Sequence, residues 1–351
     1  MNELSNSEQQ AAPEALIPGQ QGPVLRQLCA KYAKPHLGKA IWQLSNTLPL
    51  FIGLWVLMAF SVVRDWPYWI TLLLTLPAAG LYVRIFIFQH DCGHGSYFKN
   101  SVANDAVGAI LGLITLFPYG YWKKTHAIHH GTSGNLDRRE LGDVETMTVA
   151  EYQASSWQKR LAYRLYRSTP VLLGLGPVWQ FVIKHRLPFD MPLSWKKEWA
   201  SVLWNNIMIV LTAAGLGYFI GWQTVLWVHI PVVLIAGALG VWLFYVQHQF
   251  ETTYWVRGEK WDVAKAAIEG SSFYDLPLVL HWFTGNIGYH HIHHLASRIP
   301  NYNLRACFES NPLLRKAPTL SIWQSLRCVN FKLWDEELQR MVGFPKRTTA
   351  R

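Results

Sequence analysis

The chain has 351 residues, 50% of them hydrophobic, and only 15% are charged, where about a quarter is usual in soluble domains. The net charge is +10, but no basic stretch stands apart from the long apolar runs, which argues against nucleic-acid binding. Four cysteines without metal-ligand spacing speak against a disulfide scaffold or a cysteine metal site, and fit a reduced, cytosol-facing chain.

Residues 1–20 are polar, rich in Pro, Gln and Ala, and carry no basic-then-apolar leader, so they read as a disordered tail. Four apolar runs then have the roughly 20 residues a helix needs to cross a bilayer: about 45–63, 66–88, 201–220 and 224–246. Arg64 and Asp65 alone join the first two, and Gly221, Trp222 and Gln223 the last two, so each pair is a helical hairpin. Two shorter apolar stretches, 106–119 and 170–183, suit re-entrant or interfacial segments. Lys and Arg number 12 in 123–200 and 13 in 249–351, while the two hairpin turns hold only Arg64. Cationic loops stay in the cytosol, so 89–200 and 247–351 share the cytosolic side with both termini. The fold class expected is an all-α integral membrane protein with four transmembrane helices in two hairpins, short re-entrant or interfacial helices and a cytosolic helical cap.

Three histidine clusters fall just past these runs: "HDCGH" (His90, His94), "HAIHH" (His126, His129, His130) and "HHIHH" (His290, His293, His294). Positions i, i+3 and i+4 share a helix face, so the members of each cluster point together. His291 lies about 100° from His290 and is not a ligand on this reading. Buried imidazoles in this number would need many partners, and imidazolium charges would repel, so the pattern points to metal. Eight or nine imidazoles exceed one ion and suit two. Imidazole serves iron, copper, zinc and nickel, and "HDCGH" lacks the Glu of the "HExxH" zinc-protease pattern. A pair of irons activating dioxygen fits best, although spacing does not separate iron from copper. His229 inside the fourth run reads as a packing residue, and His36 and His185 as interfacial.

"HDCGHGSYF", "HAIHHGTSGNLDRRELGDVETMT" and "GNIGYHHIHHLASRIPNYNL" resemble the three histidine boxes of membrane fatty acid desaturases, most closely the bacterial acyl-lipid branch, over about residues 40–340. The resemblance implies that 21–351 form one membrane desaturase domain, with two non-haem irons held by His90, His94, His126, His129, His130, His290, His293 and His294. "FYVQHQFE" supplies His248 as the family's further ligand. It also implies O2 as co-substrate, a lipid acyl chain as substrate, and a cis double bond as product. Gln at position 290 would mark a front-end desaturase, and the chain has His. No haem segment is evident, so electrons come from a separate donor, expected to be ferredoxin-type and drawn to a basic cytosolic face. The membrane is expected to be the bacterial inner one.

Ligating histidines need acceptors for their second N–H, for which Asp91, Asp137, Asp143, Glu145, Glu251, Asp275 and Asn286 are available. Gly108 and Gly112 could pass an acyl chain or pack helices closely, Trp122 could touch substrate, Arg84 could reach headgroups, and Cys92 reads as packing. Two alternatives remain at this level. One is hydroxylation or ketolation of an alkane or carotenoid on a similar site. The other is a metal transporter, which would place its ligands along a path through the bilayer.

Overall fold

The computed structural model describes residues 21–139 and 142–345; the tail expected over 1–20 lies outside the described residues. A short helix α1 (Gln21–Ala30) precedes α2 (Leu37–Val63) and α3 (Tyr68–Gly93), the first hairpin. His36 caps α2, its Nδ1 accepting from the Lys39 amide at 3.2 Å. Asp65 makes the tight turn between them at φ 53. Both helices extend beyond the apolar runs that announce them, because the helix continues into the polar layer once it has left the hydrocarbon.

Next come α4 (Ser101–Ile114) and α5 (Tyr119–Thr132), bent against one another by 104°. The apolar stretch 106–119 is thus broken. Pro118 disfavours helical backbone at the residue before it, and Leu116 takes φ 58. Gly112 packs this bend. A Cβ there would stand 2.6 Å from the Phe117 carbonyl oxygen, and its own carbonyl accepts from Asn205 Nδ2 at 3.2 Å. A Cβ on Gly108 would stand 2.3 Å from the Tyr119 ring. Both glycines serve close packing.

Short helices α6 (Val149–Ala154) and α7 (Trp157–Tyr166) lead to α8 (Val171–Lys184), which contains wide helical turns. The second hairpin is α9 (Lys196–Ile220) and α10 (Trp222–His248), turning at Gly221 with φ 84, a conformation that favours glycine. The four long helices α2, α3, α9 and α10 are apolar enough to cross a membrane. The remaining chain forms α11 (Val263–Glu269), α12 (Leu278–Phe283), α13 (His290–Leu295) and α14 (Asn301–Glu309). Two small strand pairs join them: β1 (Phe273–Asp275) runs parallel to β2 (Thr319–Ser321), and β3 (Leu333–Asp335) antiparallel to β4 (Arg340–Val342).

The helix α3 is the central post. It packs on α2, α4 and α10, and from Leu81 to Cys92 every residue but Phe86 is buried, as expected of a helix apolar all round. The helix α9 stands at the edge, presenting Trp204, Ile207, Val210 and Leu211 outward. Arg84 turns inward. It donates to Thr47 Oγ1 at 3.0 Å and to the Trp282 carbonyl, and stacks 4.2 Å over the Trp282 ring, so it does not reach for headgroups. In the cap, water is the reference, and burial of Ile292, Leu295 and Leu304 against Leu25 and Cys29 fixes α13. Each such side chain contributes about 1.5–3 kcal/mol.

Candidate metal centre

Four structural units deliver histidines to one place. The last turn of α3 and its C-cap give His90 and His94, α5 gives His126, His129 and His130, the end of α10 gives His248, and α13 gives His290, His293 and His294. They divide into two sets, in each of which the nitrogens lie within 4.8 Å of one another: His90, His94, His126, His130 and His293; and His129, His248, His290 and His294. The sequence expectation that each triplet acts as one face is refined here. The i and i+4 members stay together, and the i+3 member goes to the other set. With 3.6 residues per turn, i+3 and i+4 differ by about 100°, so one triplet straddles two neighbouring sites. The rings of His130 and His294, one from each set, stack at 4.1 Å.

The second nitrogens of three rings are tied down. His129 Nδ1–H donates to Asp143 Oδ1 at 2.5 Å, His90 Nδ1–H to Asp91 Oδ1 at 3.1 Å, and His248 Nδ1–H to the Gly270 carbonyl at 3.1 Å. In a neutral imidazole that leaves each Nε2 as a bare lone pair. These lone pairs converge. His248 Nε2 lies 2.9 Å from His290 Nε2, and His129 Nε2 lies 3.3 Å from His294 Nε2. In the other set, His130 Nε2 lies 3.2 Å from His126 Nε2 and 3.0 Å from His293 Nε2, so no single proton satisfies all three. His94 Nε2 is buried with no partner among the described residues. Two nitrogens bonded at right angles to one ion, each at about 2.1 Å, stand about 3.0 Å apart. The spacing therefore suits metal ions, and both sets can hold one.

Electrostatics agree. Burial, reinforced by neighbouring histidines, holds His94, His126, His130, His290, His293 and His294 far below the ordinary histidine value. They remain neutral and keep a lone pair to give. His291 differs. Burial pushes it down to about 3, and its Nε2–H donates to the Leu314 carbonyl at 3.0 Å. It is a packing residue in neither set.

Among the carboxylates, Asp143 and Asp91 reach histidines. The turn before Asp143 needs glycine, because Gly142 has φ 87 and a Cβ there would stand 2.9 Å from His129 Cβ. Asp91 also accepts from the Asn301 amide at 2.6 Å and its Nδ2 at 2.8 Å, tying α3 to α14. Asp137 does not join them. It pairs with Arg257 at 2.9 Å and accepts from the Gly258 amide, half-exposed. Asn286, at φ 59, shapes the turn before α13, and its Nδ2 donates to the Asn301 carbonyl at 3.3 Å. Glu145, Glu251 and Asp275 are exposed. Sequence reasoning missed Gly270, whose carbonyl leaves no side-chain signal, and Asn301, which acts only through Asp91.

A cavity of about 370 Å³ reaches both sets, touching His90 and His126 of one and His290 of the other. Its wall is mostly apolar, with Phe86, Phe117, Trp122, Leu243 and Phe244 among its lining. Trp122, the candidate for contact with substrate, lines this cavity and stacks on His126 at 4.6 Å. Asp143 borders the same space.

The fatty acid desaturase family model matches residues 64–323. A fatty acid desaturase of Bacillus subtilis (strain 168) is 45% identical over 331 residues, covering 94% of this chain and 93% of that protein. An sn-1 acyl-lipid omega-3 desaturase (ferredoxin) of Nostoc sp. (strain 36) is 28% identical over 312 residues, covering 85% and 82%. An sn-1 oleoyl-lipid 12-desaturase of Anabaena variabilis is 27% identical over 236 residues, 64% of each chain. These matches do not favour the hydroxylase or ketolase alternative. With four membrane-length helices beneath a paired histidine site, the chain belongs to the fatty acid desaturase family of oxidoreductases.

Proposed function

We propose that this protein introduces a cis double bond into an acyl chain of a membrane glycerolipid, using O2 and two electrons from a separate ferredoxin-type donor. The observation that carries this is the junction of an apolar cavity with two histidine sets. The nine histidines would hold the irons, His90, His94, His126, His130 and His293 one of them and His129, His248, His290 and His294 the other. Two irons, when bound, supply the reduction of O2. In the balance, O2 accepts two electrons from the donor and two with the hydrogens of adjacent methylenes; two protons complete two waters.

The chain's residues prepare this. Asp143, Asp91 and the Gly270 carbonyl fix ring orientation and tautomer. Trp122, Phe86 and Phe117 confine an apolar chain and exclude water. The Nostoc and Anabaena relatives, named an acyl-lipid desaturase with ferredoxin and an oleoyl-lipid desaturase, support the lipid substrate and the donor. The Lys and Arg distribution supports an inner-membrane placement with cytosolic termini.

The test is fatty-acid profiling by gas chromatography–mass spectrometry of a bacterial host expressing the protein, with double bonds located by disulfide adducts and His129→Ala alongside. A new unsaturated species in the wild type alone is expected. Hydroxy acids in its place, or an unchanged profile with iron bound and donor supplied, would refute the reading.

A further inference from the structure

The cavity has one polar corner that the histidine sets do not explain. Gln180 and His185, at the end of α8, line it. Gln180 Nε2 donates to His185 Nε2 at 2.7 Å, which leaves the proton of a neutral ring on Nδ1. That Nδ1 is buried with no partner among the described residues, and so is the Tyr82 hydroxyl on the same cavity wall. His185 is 2% exposed and Tyr82 3%. Burial, with Arg186 and Lys184 nearby, holds His185 well below its ordinary pKa, so it stays a neutral donor. Unpaired buried donors are costly, and rare enough that each calls for an explanation.

An aromatic wall connects this corner to the metal site. His185 contacts Phe117 at 4.7 Å between ring centres, Phe117 contacts Phe86 at 4.5 Å, Phe86 contacts Trp122 at 5.4 Å, and Trp122 stacks on His126. The corner and the histidines are thus two ends of one apolar path. Trp179 also borders the cavity and is half-exposed on the outer face of α8, beside the exposed Leu175 and Val182. That outer face is apolar, as a lipid-facing entry requires.

We infer that Gln180 and His185 form an anchoring site for the carbonyl oxygen of a glycerolipid acyl ester, which sets how far along the chain the double bond falls. This rests on the desaturase reading above. A carbonyl accepts the His185 Nδ1–H, whereas a terminal methyl in that corner would leave the donor unpaired. With the carbonyl fixed, the reacting carbons are counted from the carboxyl end.

The experiment feeds a host expressing the protein a ladder of saturated chain lengths and locates the double bond in each product. The wild type is expected to keep a constant distance from the carboxyl end. His185→Phe and Gln180→Leu, which retain volume, are expected to lower conversion about tenfold, as about 1.4 kcal/mol predicts, and to scatter the double bond over neighbouring carbons. His185→Gln, which restores an N–H, should recover the position. A constant distance from the methyl end, or an unchanged position in both volume-matched variants, overturns the anchor while leaving the desaturase reading intact. No product from the wild type removes that reading and the anchor with it. The same chain supplied as phosphatidylglycerol vesicles or as a coenzyme A thioester, with purified enzyme and a reduced ferredoxin system, separates the carriers. Use of the vesicles is expected, and exclusive use of the thioester overturns the glycerolipid ester.

Discussion

The two histidine sets differ in a way their sequence does not suggest. The four-member set is fully buried, and two of its rings are held from behind, His129 by Asp143 and His248 by the Gly270 carbonyl. The five-member set is partly exposed at His94, His126 and His130, and among the described residues only His90 has such support. A site with fewer donors depends on each being oriented, while a site with a spare donor tolerates a looser one. The sets should therefore fail differently.

The largest contrast comes from single ligands. His129→Ala leaves three donors in its set and should abolish detectable desaturation, a loss beyond the roughly 10–100-fold that removal of an outer partner causes. His94→Ala leaves four donors and should retain more metal. Plasma mass spectrometry of the purified variants decides this, and equal metal loss in both would break the comparison. Next come the outer carboxylates: Asp143→Asn and Asp91→Asn should each lower activity about 10–100-fold. Asp143→Asn should cost more metal, because its set has no donor to spare; the reverse order would point to Asp91 as the more important support.

Acid should act on both sets in the same direction. Histidines held below their unfolded value bind fewer protons folded than unfolded. Their contribution is complete above about pH 6.5 and declines as the pH falls below it. Protons also compete with metal for the same lone pairs. Metal content followed by dialysis against falling pH should drop below that value, with the more exposed set emptying first; loss on the alkaline side would contradict the assignment. The smallest effect belongs to Asp137→Ala. It removes an exposed pair with Arg257, worth about 0–1 kcal/mol, and should leave metal and product unchanged. A loss like that of Asp143→Asn would restore Asp137 to the site.

The two carboxylates also show what a sequence can carry. Asp137 and Asp143 follow the same histidine cluster and look alike in the chain. Which one returns to His129 depends on the positive φ of Gly142 and on a competing partner, Arg257, contributed from 120 residues away. The spans were legible because lipid imposes a length and a composition on them. His248 came into view through the family resemblance, its place at the end of a span adding support, and the structure brings it to His129, His290 and His294. The division of each triplet between two sets follows from helix geometry, but shows itself only once α5 and α13 face each other. His185, read as interfacial, lies instead on the cavity wall, because α8 folds back against α10. The Gly270 carbonyl was invisible, since any residue has one.

The pairing of His129 with His294 bridges 165 positions of chain. Neither set is complete until α13 has left the ribosome and both hairpins have entered the bilayer. With the second hairpin misinserted, His248, His290 and His294 are parted from His129, so the four-member set is the one whose metal content reports a correctly assembled chain.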